Sequence, residues 1–438
     1  MSGASPQQTT NLVPKRILTG SQRVRAPRRP LLARIPWAPS LITLAVVISS
    51  SVAVRPVRDA ATRQEISEAF LARPLGYVAI APLSNVLDLL TLLSVRQHIA
   101  LFLGLVVVFG LWRLLRHLRG ASARGHLLAT GGFLLAFVLT YLAAVLLPRP
   151  MAYLASQDAN ILRVDFHSHT AESHDGAGWF SVERNREWHR AGGYDAAFIT
   201  DHGTVAAAER GIAANPRAGL DGVVLLQGIE ATWSGEHVAL LNAERTYKGL
   251  LTENKRDVDP QGVALASVVA TREPVIVWNH PKELNKLPPA SGPGTAGIRA
   301  IEISNGSPPG MDKIRPKRAA LVALAEQHDL ALTTGSDNHG WGHTAPNWTL
   351  MRPTLWRGAT SDELTLRIER VIRDGGFRGT RVVERVVADP GTSIVALAMT
   401  IVAAPARMLT TLSTDERVMW LVWTWLLFAV AWWRKRSP

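Results

Sequence analysis

The chain contains thirteen histidines, and several of them stand in short polar segments that follow apolar runs. The first of these segments is Asp165-Phe166-His167-Ser168-His169. If the run that leads into it is a strand, Asp165, His167 and His169 project to one side, because side chains alternate between the two faces. Two imidazoles on one face can chelate one metal ion. The segment therefore predicts metal chemistry.

Side chains able to bind metal recur after the later apolar runs. They occur in Thr200-Asp201-His202-Gly203, Gly228-Ile229-Glu230, Asn279-His280-Pro281 and Ser336-Asp337-Asn338-His339-Gly340, at His237, and in the turn Ser173-His174-Asp175-Gly176. Packing gives no reason for this pattern, because buried ionisable groups cost free energy unless they are paired or bound to metal. The chain has no cysteine, so imidazole and carboxylate must hold any transition metal.

The elements that must position these residues are short strands alternating with helical stretches. The apolar runs cover residues 161–166, 196–200, 223–229, 275–278, 298–303 and 330–334. This alternation indicates a β/α protein. Since β/α barrels place their sites at the carboxyl ends of the strands, the polar segments are predicted to converge there.

In order and spacing, these motifs resemble those of the PHP (polymerase and histidinol phosphate phosphatase) family of metal-dependent phosphoesterases. The resemblance covers residues 160–385, about half of the chain. It implies an α/β fold, namely a distorted (β/α)7 barrel, which here is flanked by transmembrane α-helices. It also implies two or three divalent ions (Zn, Mn or Fe) and hydrolysis of phosphate esters by a metal-activated water.

The resemblance further implies which residues hold each ion. The first ion would take His167, His169, Glu230 and Asp337, and the second would take Glu230, His237 and His280. A third ion would take His202, His339 and either His174 or Asp175, with His174 narrowly favoured. Catalysis is predicted to depend most on Glu230, Asp337 and His202.

Four further residues have predicted supporting roles. Asp165 and Asp201 stand beside ligands, where they are expected to orient the imidazoles. Lys282 and Lys286 follow His280 and are predicted to form a rim that contacts the distal part of the substrate.

The positive charge lies outside the middle of the chain. Residues 1–150 hold 17 Lys and Arg against 4 Asp and Glu, residues 151–390 hold 26 against 29, and residues 391–438 hold 5 against 2. A mildly acidic middle region disfavours nucleic acid as a partner. Basic flanks beside apolar runs indicate a lipid bilayer instead.

The sequence divides into four parts. They are a basic disordered tail (1–36), a membrane region of three or four spans (37–150), a PHP-type hydrolase domain (155–388) and a second membrane region of one or two spans (391–438).

The predicted spans are residues 37–54, 99–115, 127–147 and 418–433. Two alternatives remain open. The stretch 74–95 is apolar but contains Asn85 and Asp88, so it could be a span, a re-entrant piece or an interfacial helix. Residues 23–54 could instead be a cleavable signal peptide.

The side of the membrane follows from the arginines between two spans. Arg113, Arg116, Arg119 and Arg124 predict a cytoplasmic loop, which puts the hydrolase domain on the external or periplasmic side of a bacterial-type cell membrane. If residues 74–95 cross the membrane, the domain lies in the cytoplasm.

The predicted function is a membrane-anchored phosphoesterase acting on a small or lipid-linked phosphate. The alternative is a catalytically retired sensor or scaffold that keeps the metal site. No expected ligand position is blank, which favours activity.

Overall fold

The computed structural model describes residues 36–233, 235–241, 275–287, 289–290, 297–389 and 391–434. The predicted basic tail lies outside these residues, apart from its last position. The strands are β1 (Val57–Asp59), β2 (Phe70–Ala72), β3 (Tyr153–Ala155), β4 (Leu162–Ser168), β5 (Ala196–Ile199), β6 (Val224–Trp233), β7 (Glu236–Leu241), β8 (Val275–Asn279), β9 (Ala300–Asn305), β10 (Ala331–Gly335), β11 (Asn347–Met351) and β12 (Thr380–Arg385).

Ten strands form one curled sheet in the order β1-β12-β11-β4-β5-β6-β7-β8-β9-β10. Strands β4, β5 and β6 run parallel to one another, and so do β8, β9 and β10. Strand β7 is inserted antiparallel between β6 and β8. The sheet curls into a half-barrel in which the Asp337 N–H, just after β10, donates to the His167 carbonyl over 2.8 Å. A closed (β/α)7 barrel is not confirmed.

All six apolar runs form strands, namely β4, β5, β6, β8, β9 and β10. Most of their residues are buried, as expected for parallel strands whose two faces are both covered. Phe166 and Phe198 stack inside the sheet with ring centroids 5.3 Å apart. Leu364 and Ile368, on a helix that crosses the amino ends of the strands, belong to the same core cluster. The opposite, carboxyl ends of the strands are left for polar residues.

The helices are α1 (Trp37–Ser51), α2 (Leu75–Ala79), α3 (Ala81–Thr91), α4 (Val95–Leu118), α5 (Ala123–Leu146), α6 (Val182–Gly192), α7 (Ala206–Ala213), α8 (Pro308–Ile314), α9 (Arg318–Gln327), α10 (Ser361–Gly379), α11 (Ile394–Ala398), α12 (Thr400–Thr410) and α13 (Thr414–Arg434). Hydroxyl caps fix several of their starts. Ser94 and Gln97 form a capping box at α4, and Thr360 and Glu363 form one at α10.

The amino-terminal region contributes strands that pair with strands from the middle of the chain. Strand β1 pairs with β12, and β2 pairs with β3. The sequence analysis placed these residues in the membrane region 37–150. Three-residue strands leave no hydropathy signal of their own, so the pattern of the sequence could not separate them from the neighbouring spans.

Among the described residues, two helices are long and apolar enough to span a membrane, α4 and α5. They contain the predicted span 99–115 and all but the last residue of the predicted span 127–147. Helix α1 has 15 residues, fewer than the roughly 20 that a crossing needs. The predicted span 418–433 falls within α13.

The stretch 74–95 forms two short helices that pack on the domain. Asp88 lies at the centre of a buried network there. Its carboxylate accepts from Arg149 at 2.9 Å and from Arg385 at 2.6 Å, and Tyr77 donates to it at 2.9 Å. Burial alone would raise the pKa of Asp88, but the guanidinium groups of Arg385 and Arg149 lower it.

We expect Asp88→Ala to lower the free energy of unfolding by about 3 kcal/mol, because it leaves two buried guanidinium groups without their carboxylate. Thermal unfolding of the detergent-purified chain measures the loss. Asp389→Ala is the control, since it breaks the partly exposed Arg63–Asp389 pair and should cost under about 1 kcal/mol. Equal losses in the two variants would contradict a structural role for the buried network.

Candidate metal centre

The predicted ligands converge at the carboxyl ends of the parallel strands. His167 lies in β4, Glu230 in β6 and His237 at the start of β7, while His169, His202, His280, Asp337 and His339 follow β4, β5, β8 and β10. The hairpin between β6 and β7 pairs Thr232 with His237. His237 on β7 therefore lies at the same edge of the sheet as Glu230 on β6.

The Glu230 carboxylate lies at the centre of the cluster and is 1% exposed. Its Oε2 atom is 3.0 Å from His167 Nε2, 3.3 Å from His169 Nε2 and 3.3 Å from His202 Nε2. Its Oε1 atom is 3.0 Å from His237 Nδ1 and 3.8 Å from His280 Nε2. One carboxylate therefore faces five imidazoles, with a different set at each oxygen.

Asp337 closes the group around His167 and His169. Its Oδ1 atom is 3.4 Å from His167 Nε2 and 3.5 Å from His169 Nε2. Its Oδ2 atom accepts from the Ser307 hydroxyl at 2.7 Å, which fixes the orientation of the carboxylate.

The turn after β4 brings Asp175, rather than His174, between the remaining two histidines. Asp175 Oδ2 is 3.2 Å from His339 Nε2 and 3.6 Å from His202 Nε2. His174 approaches His202 alone, with ring centroids 4.9 Å apart, and its side chain is 46% exposed. The geometry thus favours Asp175, although His174 was the narrow preference from the sequence.

Backbone strain is concentrated at two of these residues. His280 has φ 27° and Asp337 has φ 50°, in the left-handed region that side chains other than glycine rarely adopt. Such strain persists where the surrounding structure enforces it, and it clusters at functional sites. Beside them, a Cβ added to Gly335 would lie 2.1 Å from Glu302 Oε1, so only glycine fits at the end of β10.

Burial and the neighbouring carboxylates have opposite effects on the histidines of the cluster, and the balance between them differs from one histidine to the next. Burial alone would lower the pKa of His167 and His169, but the carboxylates of Glu230 and Asp337 raise it, well above the usual value for His167 and to about 9 for His169. For His202 and His280, burial prevails over the attraction of Glu230 and lowers the pKa to about 4 and about 3. The centre of the site attracts positive charge, and its rim offers neutral imidazoles.

These donors fit divalent metal ions. Ligand atoms about 2.0–2.2 Å from one zinc ion lie roughly 3–3.6 Å from each other, which is the range of most contacts in the cluster. Within the described part of the chain, five overlapping groups have donor atoms within 4.8 Å of one another: His167–His169–Asp337, His169–His202–Glu230, His169–Asp175–His339, His174–Asp175–His202 and Glu230–His237–His280. The groups share members, as expected for adjacent ions, and they indicate divalent metal binding.

Metal binding should release protons near neutral pH. His169, with a pKa of about 9, is protonated at pH 7.5 in the metal-free protein and must lose its proton to become a ligand. The neighbouring carboxylates raise the pKa of His167 as well, so we expect release of at least one proton and an affinity that rises with pH across the neutral range. Calorimetric titration with Zn²⁺ in buffers of different ionisation enthalpy counts the protons. Binding without proton release would contradict this arrangement of charges.

The two aspartates predicted to orient imidazoles act largely through the backbone. Asp165 Oδ1 accepts from the N–H groups of His167 and Ser336, and its Oδ2 contacts His189 Nε2 at 2.8 Å. Asp201 accepts from the N–H and hydroxyl of Thr170 at 2.6 Å, and its Oδ1 lies 4.0 Å from His169 Nδ1. Both carboxylates position the ligand-bearing segments.

The predicted lysine rim lies away from the cavity that the ligands line. Lys282 Nζ donates to the Gly235 carbonyl, and Lys286 Nζ pairs with Glu283. Lys313 lines the cavity instead, with its Nζ 3.4 Å from His280 Nδ1.

Glu302 is a buried residue of the site that the sequence analysis did not single out. Its Oε1 atom is 3.5 Å from His167 Nδ1, and its Oε2 accepts from the His280 N–H at 2.6 Å. An acid in the middle of the apolar run 298–303 was the available signal, since carboxylates are rarely buried without a partner.

No protein-family model matches the chain, and no curated protein matches its sequence. Solved structures that align with it include PsfC from Pseudomonas syringae (18% identity over 61% of this chain and 99% of the other, TM-score 0.36). A lesion-specific endonuclease from Pyrococcus furiosus aligns at 13% identity over 51% of this chain and 57% of its own (TM-score 0.35). A protein from Bifidobacterium adolescentis, provisionally described as a metal-dependent phosphoesterase, aligns at 17% identity over 48% and 96% (TM-score 0.28).

Proposed function

We propose that the chain is a membrane-anchored, metal-dependent phosphoesterase of the PHP type. The supporting observation is the Glu230 carboxylate, buried among five imidazoles with a different set at each oxygen. Glu230 would hold divalent ions together with these imidazoles, since it belongs to two of the donor groups. The cluster opens into a cavity of about 410 Å³, large enough to admit a phosphate group with part of its alcohol.

Divalent ions bound there would activate water and neutralise phosphate oxygens. The chain holds the donors in place through Ser307 on Asp337 and Glu302 on His280. Lys313 adds a cationic side chain at the cavity wall that can neutralise a phosphate oxygen. In the reaction, the oxygen of water bonds to phosphorus, the P–O bond to the alcohol breaks, and a proton from water passes to the leaving oxygen.

Membrane anchoring is supported by the placement of charge on the helices. Helices α4 and α5 form an antiparallel pair in which Phe102 packs on Phe137 and His117 on His126. The ends of this pair near the domain are bonded to it, through Gln97 to the Ala388 carbonyl and through the Val145 carbonyl to the Gly342 N–H. The far ends carry the arginines at 116, 119 and 124.

Helices α1 and α13 repeat this arrangement. The Trp425 indole donates to the Thr43 hydroxyl, and Arg417 donates to the Val46 carbonyl, so the two helices are antiparallel and α13 ends, with Arg434, far from the domain. Positive charge at the far ends supports a domain on the external side. The short helices α2 and α3, with Asp88 buried in ion pairs, argue against the extra crossing that would reverse this topology.

The activity can be tested with the full chain in detergent, with Mn²⁺ or Zn²⁺, on a panel of phosphomonoesters and phosphodiesters. We expect turnover that His167→Ala abolishes. Equal rates in the variant and the wild type would rule out the proposed enzyme. Tight metal binding without turnover of any ester would point to the retired sensor instead.

For the topology, a reporter active on only one side of the membrane, fused after Ser156, should report the external side, and a cytoplasmic signal would overturn that assignment.

A further inference from the structure

The metal cavity is lined by the two apolar helices as well as by the hydrolase domain. Its walls include Glu230 and Asp337 from the metal cluster, His98 from α4 and Val145 from α5. A substrate in contact with the cluster therefore also lies beside the ends of helices that are long and apolar enough to cross a bilayer.

The loop that carries the ligands Asp337 and His339 is attached to the end of α5. The Gly342 N–H donates to the Val145 carbonyl at 2.9 Å, and the Gly342 carbonyl accepts from the Trp188 indole at 3.1 Å. Only two residues separate His339 from this attachment. The cluster is thus held at the level where α5 meets the domain.

An exposed tryptophan stands on the same loop, at the rim of the cavity. Trp341 lines the cavity and is 50% exposed, and its ring meets that of the exposed Trp179 edge-on at 4.7 Å. Tryptophan is enriched at the boundary between membrane and water, where its ring contacts acyl chains and its N–H stays near the headgroups. The pair marks the mouth of the cavity as a surface suited to a bilayer boundary.

A second cavity, of about 610 Å³, lies beside the first at the end of α5, and Val145 and Trp188 line both. The second cavity combines apolar side chains with cationic ones that suit a phosphate headgroup, among them Leu146, Trp179, Arg184 and Arg190. Farther from the domain, the outer faces of α4 and α5 are apolar and exposed, with the side chains of Leu103 and Leu142 56% and 48% accessible. The metal cavity therefore lies close to the surface that lipid would cover.

We infer, building on the proposed phosphoesterase function, that the substrate is a membrane amphiphile. Its phosphate ester enters the metal cavity while its apolar tail remains in the bilayer beside α4 and α5. A water-soluble phosphate would require neither a cavity walled by the ends of two apolar helices nor a ligand loop bonded to one of them. The reaction is the same hydrolysis, with water bonding to phosphorus and the alcohol leaving with a proton.

Paired substrates that differ only in their tails test the inference on the full chain in lipid nanodiscs. The diester probes are hexadecyl and methyl p-nitrophenyl phosphate, and the monoester probes are phosphatidic acid and glycerol 3-phosphate. In the pair whose ester type the enzyme hydrolyses, we expect the long-chain member to have a kcat/KM about tenfold or more above that of its short-chain partner. Equal values would overturn the inference and leave the proposed function standing. Absence of hydrolysis of all four would instead count against the proposed function itself.

Nanodiscs concentrate any long-chain compound, so a variant must separate the effect of the site from partitioning. Trp341→Ser should lower the ratio of long-chain to short-chain kcat/KM about tenfold, and Trp341→Phe should restore most of it. Leu220→Ser, at an exposed leucine outside both cavities, should leave the ratio unchanged. As a readout independent of turnover, hexadecylphosphonate should bind the Zn²⁺-loaded chain more tightly than methylphosphonate, and Trp341→Ser should reduce that difference. A ratio and a binding difference insensitive to Trp341→Ser would overturn the inference.

Discussion

Glu230→Gln is expected to lower kcat/KM for a phosphate ester by about a thousandfold or more, equivalent to about 4 kcal/mol of transition-state stabilisation. Glutamine keeps the size of the side chain but removes its charge and offers a single acceptor oxygen. Glu230 meets imidazoles at both oxygens, three at Oε2 and two at Oε1. A neutral amide cannot bridge two ions in that position, so the variant should also bind less metal.

Steady-state kinetics together with metal analysis of the purified variant measures both losses. The matched control is Glu172→Gln, because Glu172 lies close in sequence to the site but is exposed and paired with Arg210. That variant should retain activity within about twofold, since surface ion pairs contribute little. Wild-type turnover and full metal content in Glu230→Gln would remove the basis of the proposed mechanism.

The sequence was sufficient for features that repeat over short distances. Each of the six runs, such as 196–200 and 330–334, combines apolar residues with polar residues immediately after them, and each formed a strand with those residues at its carboxyl end. Both properties are local, because alternation and strand termination depend on a few neighbouring residues. The convergence of the ligands then followed from the parallel arrangement of the strands.

Contacts between distant residues could not be predicted in this way. Asp88 is paired with Arg149 and with Arg385, which is 297 positions away, and no local pattern links the three. Glu302 lies 135 positions after His167, and in the sequence it is one acid within an apolar run. The distorted (β/α)7 barrel implied by the resemblance is not confirmed, and the details of strand pairing could not be predicted for a similar reason. A strand alternation does not encode the antiparallel insertion of β7 or the pairing of β1 with β12.

The choice between His174 and Asp175 shows the limit most clearly, because the two residues are adjacent and both can bind metal. In the structure the Ser173 hydroxyl donates to Asp175 Oδ1 at 2.7 Å, which turns Oδ2 toward His339 and His202. Burial alone would raise the pKa of Asp175, but His339 and Ser173 lower it, so the carboxylate is ionised and ready to bind a cation.

We therefore expect Asp175→Asn to lower kcat/KM about a hundredfold and to remove about one equivalent of metal, while His174→Ala changes kcat/KM less than about fivefold. The physical reason is position: Asp175 contacts both histidines that are predicted to hold the third ion, His202 and His339, whereas His174 approaches only His202. Metal stoichiometry by elemental analysis and kinetics on the two variants decide between them. The reverse result, with metal lost in His174→Ala and retained in Asp175→Asn, would mean that the turn rearranges on binding metal so that the imidazole replaces the carboxylate. Equal and small effects in both variants would indicate that His202 and His339 hold no third ion, and that catalysis uses only the two ions joined by Glu230.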